Sequence, residues 1–251
     1  MVCMERSAVD TSVDPAAAGG VPADGATVAA VLAVKSLRQA KSRLAATLWD
    51  SRATDRPGVR GSLVLAMFLD TVEALRGAGV TRIVVVSPDA EVLAAARRSG
   101  TRGLPESASP RAGSESGLNT AFGHGARWVR RTWPDSGRLL FVQADLPAAT
   151  STSFREVLAE TPSDAPSFVT DRDGTGTVLL HGAVAPGDPV EAAPRFGPGS
   201  ASAHREVGAV ELDPAHRRWL DLRTDVDTAT DLATARQLGL GPHTTRALRD
   251  I

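Results

Sequence analysis

Apolar residues along this chain fall into short unbroken runs, separated by stretches in which they recur every three or four positions. Thr27 to Val34, Arg82 to Ser87 and Leu139 to Val142 are runs of the first kind. They do not alternate with polar residues, so they predict strands buried on both faces, as in a parallel sheet. Pro88 and Pro147 follow the second and third runs and stop them. Val64, Met67, Phe68, Val72 and Leu75 repeat at helical spacing and read as core, and Gly77 and Gly79 end that helix. Asp89 to Arg98 predicts a short helix. Leu118, Ala121, Phe122, Gly125 and Val129 share one face of another, opened by Gly117.

Beyond the third run the pattern continues. Ser151 with Phe154 to Leu158 predicts a capped helix. Ser167 to Asp171 leads into Asp173-Gly174-Thr175-Gly176-Thr177, and Val178 to Val184 resumes an apolar strand. Ala201 to Glu206 reads as helix and Leu220 to Arg223 as strand. Thr228 and Asp231 form a capping-box-like pair at a helix start. Residues 50–61 and 99–116 read as loops. Residues 1–26 are rich in Ala, Gly, Pro, Asp and Ser without periodicity, which predicts a mobile tail outside the fold. The expectation is an α/β chain whose residues 27–251 make one domain.

Composition narrows the function. With 251 residues and 42% hydrophobic content, a sizeable core is available. A net charge of -1 gives no basic footprint, so nucleic acid is not an expected partner. The one cysteine, Cys3, excludes a disulfide framework. No run approaches the ~18 apolar residues a membrane span needs. The first residues lack the basic-then-apolar order of a signal peptide. A cytoplasmic protein with no membrane partner is expected.

Candidate chemistry lies where runs end. Asp145 follows the third run, and in open α/β sheets ligands sit beyond the carboxyl ends of strands; the competing account is an aspartate capping the next helix. Lys35, Arg38, Lys41 and Arg43 crowd the loop after the first run. Lys35, Lys41 and Arg43 suit a triphosphate and its leaving pyrophosphate, or the stretch is a solvated charged loop. No Walker A pattern is present. Asn119 sits near a helix start, where its amide is either a local cap or a reader of a base edge. Gly174-Thr175-Gly176-Thr177 offers amides and two hydroxyls to a small anion, or is a plain hairpin turn. Arg195 with Ser200 at a helix start suits a phosphate or carboxylate, or the serine is an ordinary cap. Asp225 and Asp227 lie on one side if the backbone is extended; with Asp145 they would form an all-oxygen site suited to Mg²⁺. No Ser/His/Asp nucleophile set and no Cys/His metal spacing is evident.

Six stretches, taken in order, resemble the CofC/FbiD family of guanylyltransferases, relatives of the molybdenum-cofactor guanylyltransferases and of sugar-nucleotide transferases. They are Ala33-Val34-Lys35 with Ala40-Lys41-Ser42-Arg43-Leu44; Leu118-Asn119; Ala144-Asp145-Leu146-Pro147; Asp171-Arg172 with Gly174-Thr175-Gly176-Thr177; Arg195-Phe196-Gly197-Pro198 with Ser200 and His204; and Asp225-Val226-Asp227-Thr228. The resemblance covers the chain from about residue 28 to 245 and implies a Rossmann-like nucleotidyltransferase fold, a mostly parallel mixed sheet with helices on both faces.

It further implies transfer of GMP from GTP to phosphoenolpyruvate, giving enolpyruvyl-diphospho-guanosine and pyrophosphate in coenzyme F-420 biosynthesis. The alternatives are 2-phospho-L-lactate or 3-phosphoglycerate as acceptor, a sugar phosphate or molybdopterin enzyme of the same fold, and a regulatory nucleotide-binding subunit without catalysis. Residue by residue, the resemblance assigns Mg²⁺ to Asp145, Asp225 and Asp227, and phosphoenolpyruvate to Thr177, Gly197 and Ser200, with Thr175 and Arg195 beside them. Lys35, Lys41 and Arg43 would face the GTP phosphates and Asn119 the guanine. A partner transferase would take up the unstable product. Two departures stand out: Ala144, where many relatives carry glycine, and Gly199, where an acidic residue often stands.

Overall fold

The unbroken apolar runs form the middle of the sheet. In this computed structural model, which describes residues 27–37, 44, 57–106, 117–183 and 194–250, they are β1 (Val28–Ala33), β2 (Arg82–Ser87) and β4 (Arg138–Val142). β2 and β4 flank β1, both parallel to it. β3 (Arg102–Pro105) pairs parallel outside β2. Beyond β4 comes β6 (Thr177–Ala183), antiparallel to β4 and to β5 (Ser167–Thr170), and β7 (Val210–Glu211) pairs parallel with β5. The strand order is β3-β2-β1-β4-β6-β5-β7. Two reversals leave β5 running with β4. The carboxyl ends of β1, β2, β4 and β5 and the amino end of β6 therefore share one edge, where ligands of open α/β sheets bind.

Alternate side chains of the central strands feed two cores. Ala30, Leu32, Val85, Leu140 and Val142 pack with α1 (Pro57–Gly77), α2 (Ala90–Arg98), α4 (Ser151–Glu160) and α7 (Ala229–Leu238). Ala29, Val31, Val84, Phe141 and Leu180 pack on the other face with α3 (Gly117–Thr132) and α5 (Ser200–Glu206). The expected mixed, mostly parallel sheet with helices on both faces is the one observed. Met67 and Phe68 are fully buried, as their spacing in α1 predicts. Among the described residues no helix is long and apolar enough to cross a membrane.

Four expectations need correction. Helix α1 already begins at Pro57, inside the loop expected over 50–61. The loop expected over 99–116 contains β3, a short edge strand whose Gly and Pro hid it. Thr150, not Ser151, caps α4, accepting from the Ser153 amide at 3.1 Å. Leu220–Arg223 is a helical turn, α6, not a strand. Its alternating sequence imitates a strand, but Asp221 is engaged with Thr150 and Ser153 at the start of α4 while Leu222 and Arg223 turn inward. A final helix, α8 (Pro242–Arg249), docks against α1 through Asp70, whose carboxylate accepts from the amides of His243 and Thr244.

The seam between α3 and the sheet depends on Gly125. A Cβ there would stand 2.3 Å from Val31 Cγ1 and 3.2 Å from Val86 Cγ2. Alanine gains roughly 1 kcal/mol of helix propensity over glycine, but forcing a methyl into a packed seam costs about 1–3 kcal/mol. Packing wins: Gly125→Ala should lower stability by about 1 kcal/mol net, measured by urea unfolding. A more stable variant would contradict this account of the seam.

Candidate active site

Asp145 stands three residues past β4, half-buried, at the shared edge. Its carbonyl accepts a hydrogen bond from the Val226 amide at 3.1 Å. Folding thus sets Asp225-Val226-Asp227 directly beside Asp145. Asp225 and Asp227 are half-buried and face a cleft of about 390 Å³ that also takes in Asp171, Asp173 and Asp231. Asp145 lies outside the lining of that cleft and reaches it through Val226. Arg172 spans the acidic wall, 3.1 Å from Asp231 Oδ1 and 3.8 Å from Asp173 Oδ1. The Thr228–Asp231 capping box forms as expected, with both reciprocal bonds present, so Asp231 is committed to the start of α7.

Asp145, Asp225 and Asp227 do not draw their carboxylate oxygens into one tight nest. Among the described residues the trio whose ligating atoms all lie within 4.8 Å is Asp70, Glu73 and His243, on α1 and α8, where Asp70 is occupied by α8. The three aspartates nonetheless suit a hard divalent cation. Mg²⁺ keeps several waters and takes one or two carboxylates plus substrate phosphates, so it does not need a closed protein cage.

The neighbouring loops form the other half of the site. Asp171, just past β5, accepts from the Thr175 and Gly176 amides at 3.0 and 2.8 Å. The cradle expected of Gly174-Thr175-Gly176-Thr177 is thus filled from within. Gly176 is needed because a Cβ there would stand 2.3 Å from Asp171 Oδ2. Thr175 is exposed, and its carbonyl accepts from the Ala201 amide, tying the turn to α5.

Thr177 is buried, its Oγ1 2.9 Å from His204 Nδ1. His204 Nε2 accepts from the Arg195 amide at 3.0 Å. The Arg195 side chain is exposed. Gly197 and Gly199 have φ of 132° and 71° with open space around them, so conformation rather than room calls for glycine. Ser200 is not the helix cap; Gly199 holds that position. The Ser200 side chain is buried at 2% exposure, and its Oγ has no hydrogen-bond partner among the described residues. Asn119 is neither capping its helix nor open: Nδ2 donates to the Phe196 carbonyl at 3.0 Å and Oδ1 accepts from the Phe196 amide at 2.8 Å.

Lys35 is exposed just past β1, on the same edge; Lys41 and Arg43 lie outside the described residues. The sequence reading gave no role to Asp171, Arg172, His204 or Arg223. His204 could have been found from its place four residues after Ser200, on the same face of α5. Arg223, fully buried, carried no signal that distinguishes it from a surface arginine.

Burial, with Arg195 adding to it, holds the His204 imidazole neutral down to about 4. An unfolded histidine titrates near 6.5. Between these values the unfolded chain binds the extra proton, so stability falls as pH drops through that window, by about 3 kcal/mol for this one group. Above it, the group gives no slope. Urea midpoints from pH 7 to 4.5 should fall more steeply for the native protein than for His204→Asn; parallel curves would mean the imidazole is not kept neutral.

Residues 59–221 match the model of the MobA-like NTP transferase domain. A phosphoenolpyruvate guanylyltransferase of Nocardia farcinica is 44% identical over 225 residues, 89% of this chain and 92% of that protein. One of Mycolicibacterium gilvum is 40% identical over 227 residues, 90% of this chain and 97% of that protein. A solved structure described as a nucleotide-diphospho-sugar transferase from Desulfovibrio desulfuricans G20 superposes with a TM-score of 0.60 over 90% of this chain and 95% of that one. Its 15% identity speaks to the fold alone. Joined to an acid-bearing edge beyond parallel strands, these likenesses have one reading: the chain is a nucleotidyltransferase that belongs to the MobA-like NTP transferases, in the branch of the phosphoenolpyruvate guanylyltransferases.

Proposed function

We propose that this protein transfers GMP from GTP to phosphoenolpyruvate, releasing pyrophosphate and giving enolpyruvyl-diphospho-guanosine, in the cytoplasm and in the service of coenzyme F-420 biosynthesis. A phosphate oxygen of phosphoenolpyruvate attacks the GTP α-phosphorus. The bond from that phosphorus to the β-phosphate bridging oxygen breaks, and its electrons leave with pyrophosphate. No covalent enzyme intermediate is needed, because the acceptor phosphate is already a nucleophile.

The observation that carries the reading is the Val226–Asp145 backbone bond, which ties two acidic turns together at the ligand edge of the sheet. Asp145, Asp225 and Asp227 would hold Mg²⁺. When bound, the ion supplies charge stabilisation at the phosphates. Lys35, with Lys41 and Arg43 following it in sequence, would neutralise the leaving pyrophosphate, while Asn119, its amide spent on Phe196, would steady the acceptor-end turn and not read the base. The buried, unpartnered Ser200 hydroxyl beside the Gly197 turn supports an acceptor-only anion at that end, because a phosphate or carboxylate there would satisfy it. Thr177, Thr175 and Arg195 would complete that pocket. A partner transferase would draw off the product.

Pyrophosphate release from GTP with Mg²⁺ should proceed with phosphoenolpyruvate in preference to 2-phospho-L-lactate and 3-phosphoglycerate. Asp145→Asn should cut kcat by at least about 10³-fold, in line with loss of a group that places charge at the reacting phosphates, while thermal stability changes little. An Asp145→Asn enzyme of near-native kcat would remove Asp145 from the metal site. Turnover with a sugar phosphate or molybdopterin, and none with the phospho-acids, would replace the acceptor.

A further inference from the structure

We propose that His204 is a positioning residue: its neutral imidazole donates from Nδ1 to Thr177 Oγ1 and accepts from the Arg195 amide at Nε2, leaving the Thr177 hydroxyl hydrogen free to donate to the anionic acceptor substrate. The substrate half of this inference rests on the function proposed above.

The tautomer follows from a donor whose hydrogen cannot rotate. The Arg195 N–H points at Nε2 from 3.0 Å, so Nε2 must present a lone pair. A hydrogen on Nε2 would set donor against donor in a fully buried place. The imidazole is also neutral, so its one hydrogen must lie on Nδ1. Nδ1 then donates to Thr177 Oγ1 at 2.9 Å. That hydroxyl has become an acceptor toward His204, and its own hydrogen has no acceptor among the described hydrogen bonds.

The consequence is chemical selection. Thr177 and Ser200 are both buried, and each carries a hydroxyl hydrogen still to be given away. Ala201, next to Ser200, is bonded through its amide to the Thr175 carbonyl, so the two hydroxyls belong to one connected wall. A pair of hydroxyl donors suits a group with lone pairs only, such as a phosphate or carboxylate. Were Thr177 to donate to His204 instead, the wall would offer one donor fewer.

The same ring steadies the backbone that completes the wall. His204 holds Arg195 and Asn119 holds Phe196, so consecutive residues are pinned by side chains from α5 and α3. Phe196 fills the space between, its ring centroid 4.6 Å from that of Phe122 and 5.6 Å from the His204 ring. His204 therefore couples a hydroxyl in β6 to the turn that carries Gly197.

Two conservative variants separate the bonds, because an asparagine amide reaches the place of Nδ1 and a glutamine amide that of Nε2. In the full-length protein, His204→Gln keeps the Arg195 anchor and loses the donor to Thr177; His204→Asn does the reverse. Steady-state pyrophosphate release should show KM for phosphoenolpyruvate raised about tenfold in His204→Gln, the cost of about one hydrogen bond to a charged group. KM for GTP should stay within about twofold, and His204→Asn should recover most of the loss. Thr177→Val should match His204→Gln, and the double variant should be no worse than either. Losses that multiply, equal rises for both substrates, or identical Asn and Gln variants would each overturn the role.

Long-range ¹H–¹⁵N spectra of ¹⁵N-histidine-labelled protein give a readout that needs no turnover: one buried histidine should be a neutral Nδ1–H tautomer at pH 7, and that signal should vanish in His204→Asn. An Nε2–H or cationic signal for His204 would overturn the inference at its base. If the native protein shows the expected tautomer but turns over no phospho-acid, the proposed reaction falls and takes the substrate half with it, while the hydrogen-bond assignment stands.

Discussion

A guanidinium with no access to water holds the acidic end of the site in place. Arg223 is fully buried, and its nitrogens donate to the carbonyls of Arg218, Thr170, Leu212 and Asp213, with the Asp213 carboxylate 3.3 Å away. Burial presses its pKa down from the usual arginine value, and Asp213 opposes that. An ion removed from water is tolerated only when its hydrogen-bonding capacity is met, and here it is met mostly by main chain. The arrangement therefore fixes backbone. It ties the end of β5 to the loop after β7 and to α6. The Arg223 carbonyl also accepts from the Arg172 amide, which places the residue that spans the acidic cleft. Three residues later the Val226 amide meets the Asp145 carbonyl. The acid-bearing turn is thus held at both ends, by the Arg223 hydrogen bonds in the core and, three residues on, by the Val226–Asp145 bond.

That control offsets local strain. Asp213, His216 and Trp219 are non-glycine residues in left-handed conformation within a seven-residue span, each costing on the order of 1 kcal/mol. Such a loop persists only if its surroundings over-determine it. Arg223 bonds two of its carbonyls, Asp213 and Arg218, and that of Leu212 just before it; Trp219 is buried and donates through Nε1 to Glu156, and the Asp213 carboxylate accepts from the Arg218 amide. Losing the guanidinium would strand those carbonyls, at about 1–3 kcal/mol for each. The loop carries no chemistry itself; its shape delivers Asp225 and Asp227.

The sheet was legible because its information is local. Four to six consecutive apolar residues admit few alternatives once strong turn residues bound them, so β1, β2 and β4 and the helices between them emerge from spacing alone. β3 and β7 were not legible, being edge strands of four and two residues with little to bury. Leu220–Arg223 misled because alternation in four residues does not separate a strand from a helical turn whose polar members are claimed by tertiary partners. At the site the same division holds. Asp145, Asp225 and Asp227 were visible as carboxylates at the ends of predicted elements. The meaning of Gly176 was not, since it depends on a carboxylate five residues away curling back onto its amide. His204 was visible only as a member of a matching stretch and Arg223 not at all, because what distinguishes their roles is burial, and burial of a polar residue is decided by contacts from distant segments.

The two halves of the site solve opposite electrostatic problems with different materials. The cleft beside Asp145 concentrates negative charge, five aspartates against Arg172, and such a wall is comfortable only with cations. In the proposed reaction an anionic acceptor binds next to it. Arg195 is one fixed cation at that end, exposed to solvent, and a protonated histidine would add a buried second charge. The buried part of that end is neutral: hydroxyls on Thr177 and Ser200, backed by an imidazole kept uncharged by burial and by an asparagine whose amide is spent on Phe196. Neutral donors recognise an anion through its lone pairs and do not collapse onto neighbouring carboxylates when it leaves. On the proposed reading, the burial that deprives His204 of charge keeps a further cation away from the acidic wall, so that a metal-suited wall and an anion-accepting wall stand side by side.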